Sequence, residues 1–168
     1  MAIYVTSDAH GHVRALDEAL SKISLTSDDT LYVLGDMIDR GPDPVGVIKL
    51  VRSLPNARVL KGNHEQIMLD AIIGQDPLDA ETWDINGGWT TREQLNDMEF
   101  EAYEELVRWM AALPLYAVAE TEERPYLLVH AGIEMKAARA FLLEHDVDCA
   151  DGVGAVGVDR ELLQQMLA

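Results

Sequence analysis

The segment from Tyr32 to Gly41 carries the side chains of this sequence that are best suited to chemistry. An apolar, strand-like run stops at Gly35, and two carboxylates and a guanidinium follow at Asp36, Asp39 and Arg40. A turn between a strand and a helix needs one glycine and one capping residue, but it does not need these three charged groups together. We therefore interpret Asp36 as a carboxylate that bridges two metal ions, with the rest of the chain placed to complete that site.

Three further polar clusters follow strand-like segments in the same way. Their residues are Ser7-Asp8-Ala9-His10-Gly11, Gly62-Asn63-His64-Glu65 and His130-Ala131-Gly132. In an α/β sheet, groups just past the carboxyl ends of the strands converge on one crevice. Carboxylate oxygens, imidazole nitrogens and an amide oxygen are ligands for hard to borderline divalent metals. The sequence therefore predicts a metal site at this edge of the sheet.

Each cluster has an ordinary structural explanation when it is taken alone. Asp36 or Asp39 could cap a helix, Asp8 and His10 could stabilise a polar turn, and His130 could be a half-buried structural histidine. His12 is interpreted as an ordinary helix residue. The four clusters in one chain, all at strand ends, favour a functional site over four separate structural features.

Composition limits the class of partner. The net charge is −17 at pH 7, which argues against a nucleic-acid backbone because no basic surface is available. A phosphate substrate is still allowed, since a divalent cation can invert the local field. The single cysteine, Cys149, excludes an internal disulfide. No signal peptide or apolar run of ~18 residues is found, so we expect a cytoplasmic protein without a membrane span.

The order of the elements predicts an α/β fold. Strands are expected at 3–5, 31–34 and 57–60, and helices at 11–23, 44–54 and after Glu65, with Asp43 capping the second helix. This alternation is typical of a largely parallel sheet. Short helices or loops are expected over 75–98.

The second half of the chain predicts one long helix and a hairpin. The helix covers 99–113, with a buried stripe of Phe100, Tyr103, Leu106, Val107 and Met110. Strands at 115–119 and 126–129 would pair as a hairpin around a short turn. Helical segments are also expected over 135–144 and 160–168. We expect one domain over 1–168, with a helical, cap-like region at about 66–113.

These motifs resemble the metallophosphoesterases of the serine/threonine protein phosphatase family, in their small bacterial and lambda-phage-type branch. The matching residues are Asp8-x-His10-Gly11, Gly35-Asp36-x-x-Asp39-Arg40-Gly41, Gly62-Asn63-His64-Glu65, His130-Ala131-Gly132 and Trp83-x-x-Asn86-Gly87-Gly88 with Thr91. The resemblance covers residues 3–133. It implies the calcineurin-like fold, in which two mixed β-sheets pack together between flanking helices, with a C-terminal part that is shortened here.

The resemblance also implies a role for each residue. Asp8, His10 and Asp36 would hold the first metal, and Asp36, Asn63 and His130 the second. Arg40 would bind the phosphate together with Asn63, and His64, oriented by Asp39, would act as general acid. Two divalent ions are implied, manganese first, with iron, zinc, nickel or magnesium as alternatives. A hydroxide that bridges the metals would attack a phosphomonoester.

One feature of the family is missing from this sequence. The family has a further histidine ligand for the second metal after the His-Ala-Gly segment, whereas only His145 occurs downstream here, between two acidic residues. The resemblance therefore implies a weaker second metal site.

Three functions follow from the sequence. The first is a metal-dependent phosphatase acting on phosphoserine, phosphothreonine or phosphotyrosine in proteins, and on small phosphomonoesters. The second is a diadenosine tetraphosphate or other nucleotide phosphohydrolase with the same motifs. The third is a catalytically weak module that binds phosphorylated partners. The sequence leaves the oligomeric state open.

Overall fold

The computed structural model of the chain describes residues 1–74, 76–122 and 125–132. They belong to two compact units, residues 1–115 and 116–168. The prediction of one domain over 1–168 with a cap-like region at 66–113 stays a prediction. The helices predicted over 135–144 and 160–168, and His145, lie outside the described residues.

The first unit contains a three-stranded parallel sheet in the order β1-β2-β3. Helices follow these strands along the chain, as the predicted alternation requires. The bounds are β1 Ile3–Thr6, α1 Val13–Ser21, β2 Thr30–Val33, α2 Pro44–Ser53, β3 Ala57–Val59 and α3 Asn63–Ile73. Three more helices complete the unit: α4 Pro77–Ile85, α5 Trp89–Asn96 and α6 Phe100–Ala111. The α/β fold class is confirmed.

The predicted cap of α2 is present. Asp43 accepts a hydrogen bond of 2.9 Å from the backbone N–H of Gly46, and Pro44 occupies the first helical position. The first helix is shorter than the prediction of 11–23 at both ends. Gly11 has φ +67° and His12 is not helical, so α1 begins only at Val13.

The core of the first unit lies between the sheet and its helices. Its fully buried side chains include Leu31 and Val33 from β2, Ile48 from α2, Met68 from α3 and Met110 from α6. Burying each aliphatic side chain of this size contributes about 1.5–3 kcal/mol to folding. Leu31, Tyr32 and Val33 are all buried, so both faces of the central strand are covered.

The prediction that Phe100 is buried with the stripe of α6 was wrong. Phe100 is 66% exposed, whereas Leu106 and Met110 are buried and Tyr103 and Val107 pack against the core. Phe100 is the first residue of its helix. Periodicity indicates which residues share a face, but it does not show that a neighbour covers the first turn.

The described part of the second unit is an antiparallel hairpin of β4 Tyr116–Glu120 and β5 Pro125–Val129, as predicted. Throughout the described residues, every helix is too short or too polar to cross a membrane.

Candidate active site and metal centre

The loops after β1 and β2 run side by side beyond the ends of their strands. Backbone N–H groups of Asp8, His10 and Gly11 donate to the carbonyls of Gly35, Asp36 and Met37, at 3.1, 2.9 and 2.8 Å. This ladder continues the pairing of the parallel strands into the loops. It brings the first two predicted clusters together, with His10 Nε2 at 3.7 Å from Asp36 Oδ2 and 3.8 Å from Asp8 Oδ1.

The backbone of these loops is left-handed at five of the predicted site residues. Asp8, His10, Asp36, Asp39 and Arg40 have φ values of +56°, +40°, +53°, +68° and +67°. Such conformations cost side-chain-bearing residues about 1–3 kcal/mol each and persist only where the surroundings hold them. Their concentration here marks the two loops as the part of the first unit where backbone strain is accepted.

His64 lies between these loops and the start of α3. It is buried, its Nδ1 lies 2.7 Å from Asp39 Oδ2, and its backbone N–H donates to Asp36 Oδ1 at 3.0 Å. The ring of His10 is 4.7 Å from that of His64, and its Nδ1 lies 2.9 Å from the carbonyl of Ile38. Both Nδ1 atoms face acceptors and carry hydrogen, so both Nε2 atoms present lone pairs in the neutral rings.

Arg40 joins the two imidazoles. Its Nη1 lies 3.0 Å from His10 Nε2, and its Nη2 lies 2.8 Å from His64 Nε2. Since guanidinium is only a donor, both Nε2 atoms accept these bonds. A planar cation with several donors therefore lies beside both rings, where it can receive an anionic oxygen.

Asp39 is fully buried and surrounded by donors. Besides His64, it accepts from the Thr91 hydroxyl at 2.6 Å and from Trp83 Nε1 at 3.0 and 3.2 Å. These partners come from α4 and α5, which follow the parallel sheet in the chain. The two helices thus supply the buried surroundings of Asp39.

The side chain of Glu65 holds the loop after β2 in place through hydrogen bonds to its backbone. Its buried carboxylate accepts the backbone N–H groups of Asp36, Met37 and Gly62, each at 2.8 Å. Burial raises the pKa of Glu65 above its ordinary value, and the three N–H donors oppose that rise. The positions of Asp36 and of the start of α3 therefore depend on one carboxylate.

The donor set of this cluster fits a divalent metal ion. One ligand atom each from His10, Asp36 and His64 lies within 4.8 Å of the others. Two imidazole nitrogens and a carboxylate oxygen suit manganese, iron, zinc or nickel. The sequence assigned His64 to proton transfer, and its Nε2 could hold an ion or carry a proton but not both. His10 and Asp36 are therefore the part of this donor set that agrees with the predicted metal ligands.

The remaining predicted residues are placed as follows. Asp8 presents an exposed carboxylate beside His10, and Asn63 is the exposed first residue of α3. His130 is half-buried and directly follows β5 in the second unit. The ligand roles of Asp8, Asn63 and His130 stay predictions.

Three residues gained a structural role that the sequence had not assigned. Glu65, Trp83 and Thr91 were recognised only as parts of motifs, without a function. A glutamate inside a motif beside a predicted ligand is a usable signal for Glu65. The contacts of Trp83 and Thr91 with Asp39 span 44 and 52 residues of sequence, and no local pattern predicts them.

The chain is similar to a known protein family. The calcineurin-like phosphoesterase family matches residues 1–165. A curated relative, the symmetrical bis(5'-nucleosyl)-tetraphosphatase of Erwinia tasmaniensis, is 32% identical over 136 residues, which cover 79% of this chain and 45% of that protein. The chain thus spans less than half the length of that relative.

Solved structures agree with this placement. A metallophosphoesterase from Sphaerobacter thermophilus shares 27% identity with a TM-score of 0.50, over 70% of this chain and 42% of its own. A protein serine/threonine phosphatase from Saccharomyces cerevisiae covers 96% of this chain and 47% of its own, with a TM-score of 0.61 and 20% identity. The second likeness shows a common fold alone.

The extent of the family match, together with the site geometry built on Asp36, His10 and His64, leads to one conclusion. This chain belongs to the calcineurin-like phosphoesterase family.

Proposed function

We propose that this protein is a metal-dependent phosphohydrolase whose substrate is a bis(5'-nucleosyl) tetraphosphate, cleaved symmetrically into two nucleoside diphosphates. The observation that carries the phosphohydrolase proposal is the contact of Asp39 with His64 at 2.7 Å, beside Arg40 at 2.8 Å from the other ring nitrogen. The substrate class is supported by the name of the relative that is 32% identical.

Arg40, His64 and Asp39 each have a separate task in the proposed reaction. Arg40 binds a phosphate oxygen through its guanidinium fork, which suits phosphate geometry. Once that oxyanion engages Arg40, the guanidinium no longer donates to His64 Nε2, and this nitrogen is free to take up a proton. Asp39 accepts the Nδ1–H of His64 and thereby fixes the tautomer and the orientation of the ring.

The chemical step is an in-line displacement by water. The water oxygen forms a bond to phosphorus while the bond between phosphorus and the leaving oxygen breaks. His64 gives its Nε2 proton to the leaving oxygen, and the proton of the attacking water passes to solvent. Divalent cations, when bound, supply Lewis-acid activation of water and phosphate.

Asp8, His10 and Asp36 are proposed to hold the first cation, and Asn63 and His130 stay the predicted further ligands of a second. Manganese is the proposed metal, as the resemblance to the metallophosphoesterases implies.

A turnover experiment tests the proposal. Diadenosine tetraphosphate is incubated with the protein with and without Mn²⁺, and the nucleotide products are separated. We expect Mn²⁺-dependent release of ADP as the nucleotide product, and His64→Asn should lower kcat by roughly 10²-fold or more. His12→Asn, at an exposed histidine, is the matched control. Absence of Mn²⁺-dependent turnover, or full activity of His64→Asn, would overturn the proposal.

The phosphoprotein phosphatase predicted from the sequence is a second candidate. The segment from Trp83 to Thr91 favours it, since that segment resembles the protein phosphatase branch. Comparing kcat/KM for diadenosine tetraphosphate with that for a phosphoserine peptide and an aryl phosphate separates the two. A higher value for the peptide would replace the nucleotide proposal. Binding of these phosphoesters without turnover would favour the phospho-binding module.

A further inference from the structure

The carboxylate of Asp39 is held by side chains from three helices. His64 of α3, Trp83 of α4 and Thr91 of α5 all place donor groups against it, at 2.6 to 3.2 Å. Both oxygens of the carboxylate are engaged, Oδ2 by His64 and Oδ1 by Thr91, with the Trp83 N–H close to both. Because the group is fully buried, no bulk water competes for these positions.

Thr91 makes hydrogen bonds to both the backbone and the carboxylate of Asp39. The threonine hydroxyl accepts the backbone N–H of Asp39 at 2.9 Å and donates to Asp39 Oδ1 at 2.6 Å. One hydroxyl thus closes a ring that includes the backbone and the side chain of the same residue. Asp39 has φ +68°, so this ring holds a backbone conformation that an aspartate does not readily keep by itself.

Trp83 restrains the carboxylate from another side, and Gly88 makes its position possible. The indole Nε1 lies within hydrogen-bond distance of both oxygens of Asp39. A Cβ at Gly88 would lie 2.2 Å from the Cδ1 and Nε1 atoms of Trp83. The absence of a side chain at Gly88 therefore lets the indole pack against the backbone with its N–H directed at Asp39.

From this arrangement we infer that Trp83 and Thr91 are positioning residues for proton transfer by His64. They act through Asp39, whose orientation sets the plane and tautomer of the imidazole and hence the direction of Nε2. Trp83 of α4 and Thr91 of α5, with Gly88 between the two helices, thereby become part of the machinery of the reaction. This inference rests on the proposed function, because it assigns His64 the role of general acid.

Loss of the Thr91 hydroxyl has a specific consequence. It leaves the backbone N–H of Asp39 without its partner and removes one of the donors that stop the carboxylate from rotating. The imidazole then spends less time with Nε2 directed at the leaving oxygen. Esters with poor leaving groups depend most on proton donation, so their kcat falls more than that of esters with good leaving groups.

The kinetic test uses aryl phosphates of increasing phenol pKa in the presence of Mn²⁺. For Thr91→Val we expect kcat to fall about tenfold on the ester with the poorest leaving group. General acid–base catalysis contributes roughly 10²–10⁴-fold to the rate, and the variant should lose part of that contribution. The fall should be smaller on the best leaving group, with KM little changed. Thr91→Ser restores the hydroxyl and should restore most of kcat. Thr90→Val, at the neighbouring buried threonine, is the matched control.

A spectroscopic test needs no turnover. In the metal-free protein labelled with ¹⁵N-histidine, the Nδ1–H resonance of His64 is assigned by its loss in His64→Asn. We expect its exchange with water to accelerate in Thr91→Val and in Trp83→Phe, because the carboxylate that holds it is less restrained. Trp109→Phe should leave it unchanged, since Trp109 packs near Arg52 on another part of the unit.

The two readouts separate the possible failures. If the wild-type protein hydrolyses no phosphoester with Mn²⁺, the proposed function fails, while the exchange rates still test the positioning of His64. If Thr91→Val matches Thr90→Val in leaving-group dependence and in exchange, the inference is overturned. Should Thr91→Val fail to fold, the comparison of Trp83→Phe with Trp109→Phe decides by the same criteria.

Discussion

The backbone N–H of Asp36 donates a 2.8 Å hydrogen bond to the buried carboxylate of Glu65. Glu65 lies at the start of α3, and its other bonds reach Met37 and Gly62. The loop after β2 and the first turn of α3 are therefore joined through one side chain. Asp36 is positioned through its backbone, and its carboxylate faces the two histidines, with Oδ1 accepting the backbone N–H of His64 and Oδ2 at 3.7 Å from His10 Nε2.

We predict that Glu65→Gln weakens both folding and the metal site. The amide offers one acceptor oxygen where the carboxylate offers two, and its NH2 group faces an N–H donor. The free energy of unfolding should fall by about 1–3 kcal/mol, as for other buried groups left unpaired. Affinity for Mn²⁺ should fall ~10–100-fold, the usual result of losing the support of a ligand.

Urea unfolding and Mn²⁺ titration measure these two effects. Glu93→Gln, at an exposed position of α5, provides the comparison. Equal stability of the two variants would show that the three backbone bonds of Glu65 contribute little.

Arg40→Lys should lose most of the effect of arginine on substrate binding. Lysine keeps the charge but cannot place two donors of one plane against His10 and His64, nor against two phosphate oxygens. We expect kcat/KM for the phosphoester substrate to fall about tenfold or more, since a hydrogen bond to a charged group contributes about 1.5–3 kcal/mol. Steady-state kinetics with Arg108→Lys as the control, at an exposed arginine of α6, measures the difference. An unchanged kcat/KM would remove Arg40 from the proposed site.

Gly35→Ala should destabilise the first unit strongly. A Cβ at Gly35 would lie 2.3 Å from the backbone nitrogen of Gly62, and Gly35 has φ +99°. Overpacking against backbone that cannot yield costs about 1–3 kcal/mol, and the positive φ adds to this.

Thermal or urea unfolding tests this prediction. Gly132→Ala is the matched control because a Cβ there would have no atom within 4 Å. A Gly35→Ala variant as stable as Gly132→Ala would mean that the loops after β2 and β3 can separate without loss.

Asp29 should make stability depend on pH at the acid end. Hydrogen bonds from the Ala2 backbone N–H, and then from Thr26, lower the pKa of Asp29 below 3.8. The pKa of Asp29 is lower in the folded state than in the unfolded state. The stability that its hydrogen bonds contribute is therefore fully present above the unfolded pKa, and it is lost as pH falls through the folded pKa.

The difference in unfolding free energy between the wild type and Asp29→Asn should therefore be largest near neutral pH and shrink below pH 3.8. Denaturant unfolding at several pH values measures it, with the exposed neighbour variant Asp28→Asn as the reference. A difference that does not change with pH would contradict the assignment.

Local signals in the sequence determined most of the elements and the parallel arrangement of the first three strands. Asp43 followed by Pro44 specifies the start of α2, since capping involves only adjacent residues. The alternation of short apolar runs with amphipathic segments specifies a parallel sheet, and the short turn before Tyr126 specifies the hairpin. The types of polar residue at the strand ends were the basis for predicting that these loops carry chemistry.

Only the tertiary structure decided how those loops are held. The left-handed backbone at Asp36 and Asp39 depends on partners at Glu65 and Thr91, which are distant in sequence. The same holds for Trp83, whose indole N–H reaches Asp39 only because α4 packs over the site. Periodicity and residue type act within one element, whereas hydrogen bonds between elements depend on how the whole unit packs. For that reason the sequence could name the residues that are proposed to react, whereas the contacts of Glu65, Trp83 and Thr91 with them appear only in the fold.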